Sequence, residues 1–227
     1  MIELVTTRMA QLVADWQQAN DQRVIFLQCY QMMTENMIAG VANGRFQDAP
    51  WVTHLLTHFA NYYFNALADY ETGDSCAPVW TLTHDAARER RANVLQTLFL
   101  GINAHINYDL ALTVYDLLHD EWADLSSAQR QACYVDYCLV NDIIAETIDA
   151  VQDEVVERYS PLMVLIDWLS GPVDEFIITQ LITHWREEVW RYARQLLDAP
   201  DEAVREGVRQ ALERTAVQRG RAILGLQ

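Results

Sequence analysis

His105 and Asp109 are the two residues whose types and spacing best suit chemistry in this sequence. They stand four residues apart in a stretch with helical periodicity, so their side chains lie one above the other on one helix face. An imidazole and a carboxylate held in this way can share a divalent metal ion, or the carboxylate can orient the imidazole as a general base. The pair is therefore the candidate catalytic site, with Asn107 as a third catalytic residue.

Asn103 and Asn107 form a second pair at the same spacing, on roughly the opposite face of the helix. Asparagine and aspartate are poor helix formers, and burying one costs on the order of 1–3 kcal/mol unless it is hydrogen-bonded or ligates something. Polar residues inside an otherwise apolar helix conflict with the local pattern, and such conflicts are expected at functional sites. A structural interpretation stays open beside it, namely a buried polar network that ties this helix to its neighbours.

The helix that carries both pairs is expected at the centre of the protein. Residues 94–118 read VLQTLFLGINAHINYDLALTVYDLL, which places apolar residues on every side of a helix. A helix that is apolar all round is buried all round. The pattern therefore predicts a buried central helix over about residues 87–119.

Other helical stretches offer ionisable residues at a similar spacing. These are His54 with His58, His184 with Glu188, and the set Asp142, Glu146 and Asp149. Several helices that each supply such a pair can assemble a metal site in the core of a bundle. We therefore expect His58 or Glu188 to complete the shell of a divalent ion (zinc, iron or magnesium) held by His105 and Asp109. The alternative is that each outlying pair belongs to a solvated helix face.

Asn141 and Asp149 stand at positions that resemble the second metal motif of helical terpene cyclases. An alanine lies between them where that motif has a hydroxyl side chain. Arg191 and Tyr192 resemble the Arg-Tyr pair that senses diphosphate in the same group. This resemblance implies Mg²⁺ held by the motif together with Asp109, and a prenyl diphosphate substrate in an aromatic-lined pocket. The 7 Trp, 10 Tyr and 6 Phe would suit such a pocket, and they would equally suit an ordinary core.

The composition of the 227 residues predicts an all-α protein. Gly 8 and Pro 5 are low, 51% of the residues are hydrophobic, and no strand-like alternation persists along the chain. No internal repeat is visible, so we expect one helical domain over residues 1–227, a bundle of about seven or eight helices. The predicted helices cover about residues 2–19, 22–40, 51–70, 87–119, 127–158, 161–169, 173–197 and 201–222.

The charged residues exclude several classes of function. The 16 basic and 32 acidic residues give a net charge of −16, which argues against nucleic acid or an anionic membrane surface as a partner. All 16 basic residues are arginine. Without lysine there is no P-loop lysine, no Schiff base with pyridoxal phosphate and no lysine nucleophile. We therefore expect a small-molecule substrate, no nucleotide cofactor and no pyridoxal phosphate.

The ends and the cysteines indicate the compartment. The first residues, MIELVTTR, lack the basic and apolar regions of a signal peptide, and no uncharged apolar run approaches the ~20 residues of a membrane span. The four cysteines show no CxxC spacing. We expect a reduced, cytoplasmic protein that does not enter a membrane. Its amphipathic helices and abundant Trp and Tyr are compatible with a homodimer.

The segment Leu100–Leu110, LGINAHINYDL, resembles the Leu-Gly-x-Asn-Ala-His-Ile-Asn-x-Asp-Leu signature of a bacterial and fungal family of unknown function. Looser matches lie at residues 46–51, 59–64, 78–80, 140–142 and 185–190. The resemblance implies a single helical domain with a shared polar site, and it implies no activity. Ala111 stands where that family has proline. The candidate substrate-binding residues are Asn61, Asn103, Asn141, Trp80 and Arg186.

A more remote likeness is to the zinc-dependent phospholipase C and single-strand nuclease group. That all-helical group binds its metals through HxxxD and HxxxE pairs, which His105 with Asp109 and His184 with Glu188 resemble in spacing. The likeness covers only these spacings. We expect no counterpart here of the group's processed N-terminal Trp ligand and secretion signal.

Three functions stay open from the sequence. The first is a metal-dependent hydrolase of a small ester or phosphate, in which the metal lowers the pKa of a bound water molecule. The second is a terpene-cyclase-like lyase that uses Mg²⁺ and a prenyl diphosphate. The third is a non-catalytic helical binding or scaffold protein, whose Asn, His and Asp residues form a structural network.

Overall fold

The computed structural model describes residues 2–151, 154–155, 157–159 and 173–225. These residues form helices and connecting turns with no strand among them, which confirms the predicted all-α helical bundle. The helices are α1 (Ile2–Ala19), α2 (Val24–Ala42), α3 (Ala49–Thr72), α4 (Pro78–Arg88), α5 (Val94–Ala104), α6 (Leu110–Leu118), α7 (Ser127–Val151), α8 (Glu157–Tyr159), α9 (Val173–Leu197) and α10 (Glu202–Ile223). A π-helical segment, His105–Asp109, joins α5 to α6. Within the described ranges no helix is long and apolar enough to cross a membrane.

The central helix begins later than its sequence pattern predicted. The prediction of one helix over residues 87–119 is wrong at its start, because α4 ends at Arg88 and a short break precedes α5. The side chain of Asn93 accepts the backbone N–H of Gln96, and the side chain of Gln96 accepts the backbone N–H of Asn93. This capping box fixes the start of α5. The helix predicted over residues 161–169 lies outside the described residues.

Two compact units divide the chain. Unit 1 combines Met1–Thr53 with Ser126–His184, and unit 2 combines His54–Leu125 with Trp185–Gln227. Each unit thus joins two stretches that are far apart in the sequence. The single domain over residues 1–227 stays a prediction.

In unit 1, a buried carboxylate and close helix packing hold the loop before α3. Helix α2 packs against α1 and α7. The fully buried side chain of Asp136 on α7 accepts the backbone N–H groups of Gln47 at 2.8 Å and Asp48 at 2.7 Å. Gly40 allows α2 to approach α7, because a Cβ there would lie 2.7 Å from Cδ1 of Ile143. The carboxylate thereby fixes the chain where it enters α3.

In unit 2, the continuous helix formed by α5, the π segment and α6 is the central element. Helix α4 packs against α5, and α10 packs against α4, α5 and the π segment. The buried apolar residues along this helix are Leu98, Leu100, Ala104, Leu110, Ala111, Val114 and Leu118. The predicted burial of the helix that carries the candidate residues is therefore present, with the corrected start at Val94.

Gly220 on α10 provides a test of this packing. A Cβ at Gly220 would lie 2.8 Å from Cδ2 of Leu82 and 3.5 Å from Nδ2 of Asn103. We expect Gly220→Val to lower the free energy of unfolding by about 1–3 kcal/mol, because it overpacks the contact. A Cβ at the exposed Gly207 on the same helix meets nothing within 4 Å, so Gly207→Ala should raise that free energy by about 0.5–1 kcal/mol. Urea unfolding measures both values, and a Gly220→Val protein as stable as the wild type would contradict the packing described.

Candidate functional site

The candidate catalytic residues lie in a π-helical segment, His105–Asp109, rather than in a regular α-helix. At the end of this segment the backbone N–H of Leu110 donates to the carbonyl of His105, five residues earlier. The segment follows α5 and leads into α6, so one turn is widened inside a longer helix. Short π segments inside α-helices occur frequently at functional sites. The spacing of the residues predicted a regular helix here, and the π turn is a correction to that prediction.

His105 and Asp109 form a buried, hydrogen-bonded pair, which we call the dyad. Nδ1 of His105 lies 3.0 Å from Oδ2 of Asp109, and the two residues are 2% and 1% exposed. The indole N–H of Trp80 on α4 donates to both carboxylate oxygens of Asp109, at 3.1 Å to Oδ1 and 3.0 Å to Oδ2. The structure therefore brings the predicted pair together and adds Trp80 to it.

Aromatic rings enclose the imidazole of His105. The ring of Phe59 on α3 stacks on it, with 3.5 Å between ring centroids and 6° between ring planes. Tyr63, one turn further along α3, meets the imidazole edge-on at 6.1 Å, and the Trp80 ring lies at 6.2 Å. Tyr63 and Trp80 also contact each other at 5.3 Å. The dyad is therefore surrounded by weakly polar side chains rather than by water.

Burial shifts the pKa values of the dyad in opposite directions. Desolvation lowers the pKa of His105 well below its ordinary value of 6.5 and raises the pKa of Asp109 well above 3.8. The hydrogen bond from Trp80 acts the other way on the pKa of Asp109, because an N–H donor favours the carboxylate. Burial is the larger effect on each group, so it favours the uncharged forms of His105 and Asp109.

A second polar network lies where the same helix faces α10. Asn103 donates from Nδ2 to the backbone carbonyl of Ala216 at 2.9 Å, and its Oδ1 accepts from Nδ2 of Asn107 at 3.0 Å. Arg219 on α10 donates to Oδ1 of Asn107 at 2.9 Å. Arg219 also donates to Glu188 on α9. This chain of hydrogen bonds ties the central helix to α9 and α10.

A match to one protein family covers nearly the whole chain. The sequence profile of a family of unknown function, DUF5995, matches residues 2–226. The chain belongs to the DUF5995 family. Membership confirms the resemblance to a family of unknown function, and it assigns no activity to the dyad. No curated protein and no solved structure matches the chain.

The residues that were expected to complete a metal shell in this DUF5995 protein have other partners. Nε2 of His58 lies 3.3 Å from Oδ2 of Asp116, which also accepts the hydroxyl of Tyr62 at 2.7 Å. Glu188 forms an ion pair with Arg219. Among the residues that the structure describes, no group of three or more His, Cys, Asp or Glu side chains could hold a metal ion. The metal site therefore stays a prediction, for which these residues supply no third ligand.

The predicted substrate-binding residues lie on several different helices. Asn61 is exposed on α3, and Arg186 is buried on α9 in unit 2. Asn141 is half-buried on α7 and belongs to unit 1. The remaining two take part in the hydrogen bonds of the dyad and of the second network. The side chain of Asp149, part of the terpene-cyclase-like motif, lies outside the described residues.

The outlying ionisable pairs favour the solvated-face interpretation. His54, His184 and Asp142 are all exposed. Glu146 is exposed as well, and it forms an ion pair at 2.6 Å with Arg45. These side chains therefore lie on solvent-exposed faces of their helices.

Three side chains of the site were not predicted to belong to it, namely Phe59, Tyr63 and Arg219. Phe59 and Tyr63 are four residues apart, so their spacing was the available signal for an aromatic face on α3. Arg219 lies 112 residues from its partner Asn107 in the sequence. No local pattern connects residues at that distance.

The dyad is expected to make stability depend on pH through Asp109. A group whose pKa is raised by folding stabilises the protein fully below its unfolded pKa, and this stabilisation is lost as the pH rises towards the folded pKa. The free energy of unfolding of the wild type, relative to Asp109→Asn, should therefore fall above pH 3.8 by about 1.4 kcal/mol per pH unit until the folded carboxyl titrates. His105 acts with the opposite sign, since its stabilisation is present above pH 6.5 and is lost as the pH falls through its lowered folded pKa. Urea unfolding at several pH values measures the difference in the free energy of unfolding between the two proteins. If the pKa of Asp109 is normal, this difference stays constant above pH 3.8 and the prediction is wrong.

Substitution of Asn107 tests the second network. We expect Asn107→Leu to lower the free energy of unfolding by about 2–4 kcal/mol, because the buried Oδ1 of Asn103 and an N–H of the half-buried Arg219 each lose a partner. Asn61→Leu is the matched control at an exposed position, with an expected change within about 0.5 kcal/mol. Urea unfolding compares the two variants, and equal changes would mean that the network contributes no stability.

Proposed function

We propose that the dyad is the acid–base site of an enzyme that hydrolyses a small ester or phosphate. The observation that carries this proposal is the hydrogen bond between Nδ1 of His105 and Oδ2 of Asp109, held inside a π segment and away from water. General acid–base catalysis uses groups whose pKa values are tuned by burial and by neighbouring groups, and such groups are concentrated at active sites. Burial shifts the pKa of His105 downward and the pKa of Asp109 upward, which supports this role.

The energetic cost of the dyad supports a role beyond packing. Replacing a buried ionisable pair by apolar residues of similar size is often neutral or stabilising. The second network is an example, on the same helix, of polar side chains that join helices without a histidine. A titratable pair at His105 and Asp109 adds what amides and apolar side chains lack, which is a transferable proton.

The geometry defines how the proton moves in this proposal. Because Asp109 is bonded to Nδ1, His105 exchanges a proton with the substrate at Nε2. The Nε2–H bond breaks as the leaving-group oxygen takes that proton. In this proposal the pair starts uncharged, with the proton of Asp109 on Oδ2, so the Oδ2–H bond breaks at the same time and that proton bonds to Nδ1. The dyad is left as a neutral imidazole and a carboxylate, and a proton from the attacking water molecule restores the starting form.

A non-catalytic helical binding or scaffold protein is the second candidate, and the burial of the dyad favours it. His105 and Asp109 are almost fully buried, so a substrate reaches them only after a covering side chain such as Phe59 moves. In this case the dyad and the second network are both structural. Variants of the dyad then change stability and no reaction rate.

Hydrolysis of a panel of small carboxylic esters and phosphate esters tests the first candidate. Each assay is run with EDTA and with added Zn²⁺, Mn²⁺ or Mg²⁺, so that the predicted metal dependence is read in the same experiment. For a substrate that the wild type hydrolyses, we expect kcat/KM of Asp109→Asn and His105→Gln to fall on the order of 10²–10⁴-fold, as for loss of an acid–base group. His54→Gln, at an exposed histidine on α3, is the matched control and should keep the wild-type rate.

Two outcomes contradict the hydrolase proposal. One is the absence of hydrolysis across the panel under every metal condition. The other is a normal kcat/KM in both dyad variants together with a loss of stability in urea, which supports the structural candidate. Circular dichroism on each variant establishes that a lost rate does not come from lost helices.

A further inference from the structure

Trp80 lies near the start of α4, with its indole ring fixed on two sides. Pro78 begins this helix, and Trp80 is buried. The indole meets Tyr63 edge-on at 5.3 Å and stacks on His84 at 5.3 Å. Its N–H therefore has a fixed direction, and it lies 3.1 and 3.0 Å from the two carboxylate oxygens of Asp109.

We propose that Trp80 is the positioning residue of the dyad, whose indole N–H spans both oxygens of Asp109 and fixes the carboxyl rotation that turns Oδ2 towards Nδ1 of His105. This inference rests on the proposed acid–base function and names the residue that sets the geometry of its proton transfer. It gives Trp80 a different role from the substrate binding that the sequence predicted.

The indole N–H suits this task because it only donates and does not titrate. In the structure Oδ2 of Asp109 is bonded to both Trp80 and His105, whereas Oδ1 is bonded to Trp80. The terminal torsion of an aspartate side chain is only broadly restricted, so a single hydrogen bond to His105 leaves it loosely set. The same donor also stabilises the charge that Asp109 acquires when its proton passes to Nδ1.

Three titratable groups near the dyad do not supply a competing charge. Tyr62 on α3, Tyr108 in the π segment and Cys76 before α4 are all close enough for the charge of Asp109 to act on their pKa values. Burial raises the pKa of each, to about 12 for Tyr108. All three groups are therefore uncharged near neutral pH, where the hydrogen bond from Trp80 opposes the effect of burial on Asp109.

Nuclear magnetic resonance of the proton that bridges His105 and Asp109 tests this proposal without a substrate. The protein is labelled with ¹⁵N-histidine, and the signal is assigned by its absence from His105→Gln. Trp80→Phe removes the N–H, and β-(3-benzothienyl)alanine at position 80 replaces the N–H by sulfur while it keeps the shape of the ring. We expect the bridging proton to exchange with water faster in both proteins, on the order of tenfold or more, as for loss of one hydrogen bond to a carboxyl group.

Tyr63→Phe is the matched control for this experiment. It keeps the ring that contacts Trp80 and His105 and leaves the indole N–H in place, so its bridging proton should exchange at the wild-type rate. Wild-type exchange in both proteins altered at position 80 would overturn the proposal, and so would the absence of a bridging proton in the wild type. If Trp80→Phe does not fold, the exchange rate of the bridging proton in the benzothienyl protein is the test of the proposal.

Measuring substrate turnover in the same variants distinguishes a failure of this proposal from a failure of the proposed function. If the wild type hydrolyses a substrate, Trp80→Phe should lower kcat on the order of 10–100-fold with KM unchanged. If no substrate is hydrolysed and the bridging proton still exchanges faster, Trp80 positions the dyad and the proposed function alone is wrong. If Asp109→Asn is inactive while Trp80→Phe keeps both the wild-type kcat and the wild-type exchange rate, the positioning role alone is wrong.

Discussion

The buried carboxyl group of Asp109 is the constraint that the rest of unit 2 has to satisfy. A carboxyl group removed from water destabilises a protein unless hydrogen bonds replace its hydration. Those bonds join it to His105 on the preceding turn and to Trp80 on α4. Helix α3 contributes the rings that cover the imidazole. The packing of α3 and α4 on the central helix must therefore bring these groups within a few ångströms of one carboxyl.

The central helix carries two polar systems with different chemistry. Where it faces α10, the amides of Asn103 and Asn107 and the guanidinium of Arg219 bond to one another. Such a network makes the helix packing specific, and none of these groups exchanges a proton near neutral pH. Where it faces α3 and α4, His105 and Asp109 lie within hydrogen-bonding distance of each other, and burial lowers the pKa of His105 and raises the pKa of Asp109. Perturbed groups of this kind are concentrated at sites of reaction.

Apart from α4 (Pro78–Arg88), local patterns in the sequence predicted the helices of the described residues, the pairing of His105 with Asp109, and the second asparagine pair on the other face. All of these depend on the 3.6-residue period of one helix, which the order of residues alone specifies. The error at the start of the central helix has a local cause as well. Asn93 and Gln96 form a capping box, so the apolar pattern that follows Asn93 does not extend back into α4.

The sequence by itself therefore determined the all-α class and which side chains share a helix face, because covalent spacing along a helix sets both. Only the tertiary structure decided their partners. Trp80 donates to Asp109, Arg219 donates to Asn107, which lies 112 residues away in the sequence, and His58 pairs with Asp116. The tertiary structure also decided the π turn. Its weaker helix geometry depends on compensating contacts from neighbouring helices, and the spacing of residues along the sequence does not show those contacts.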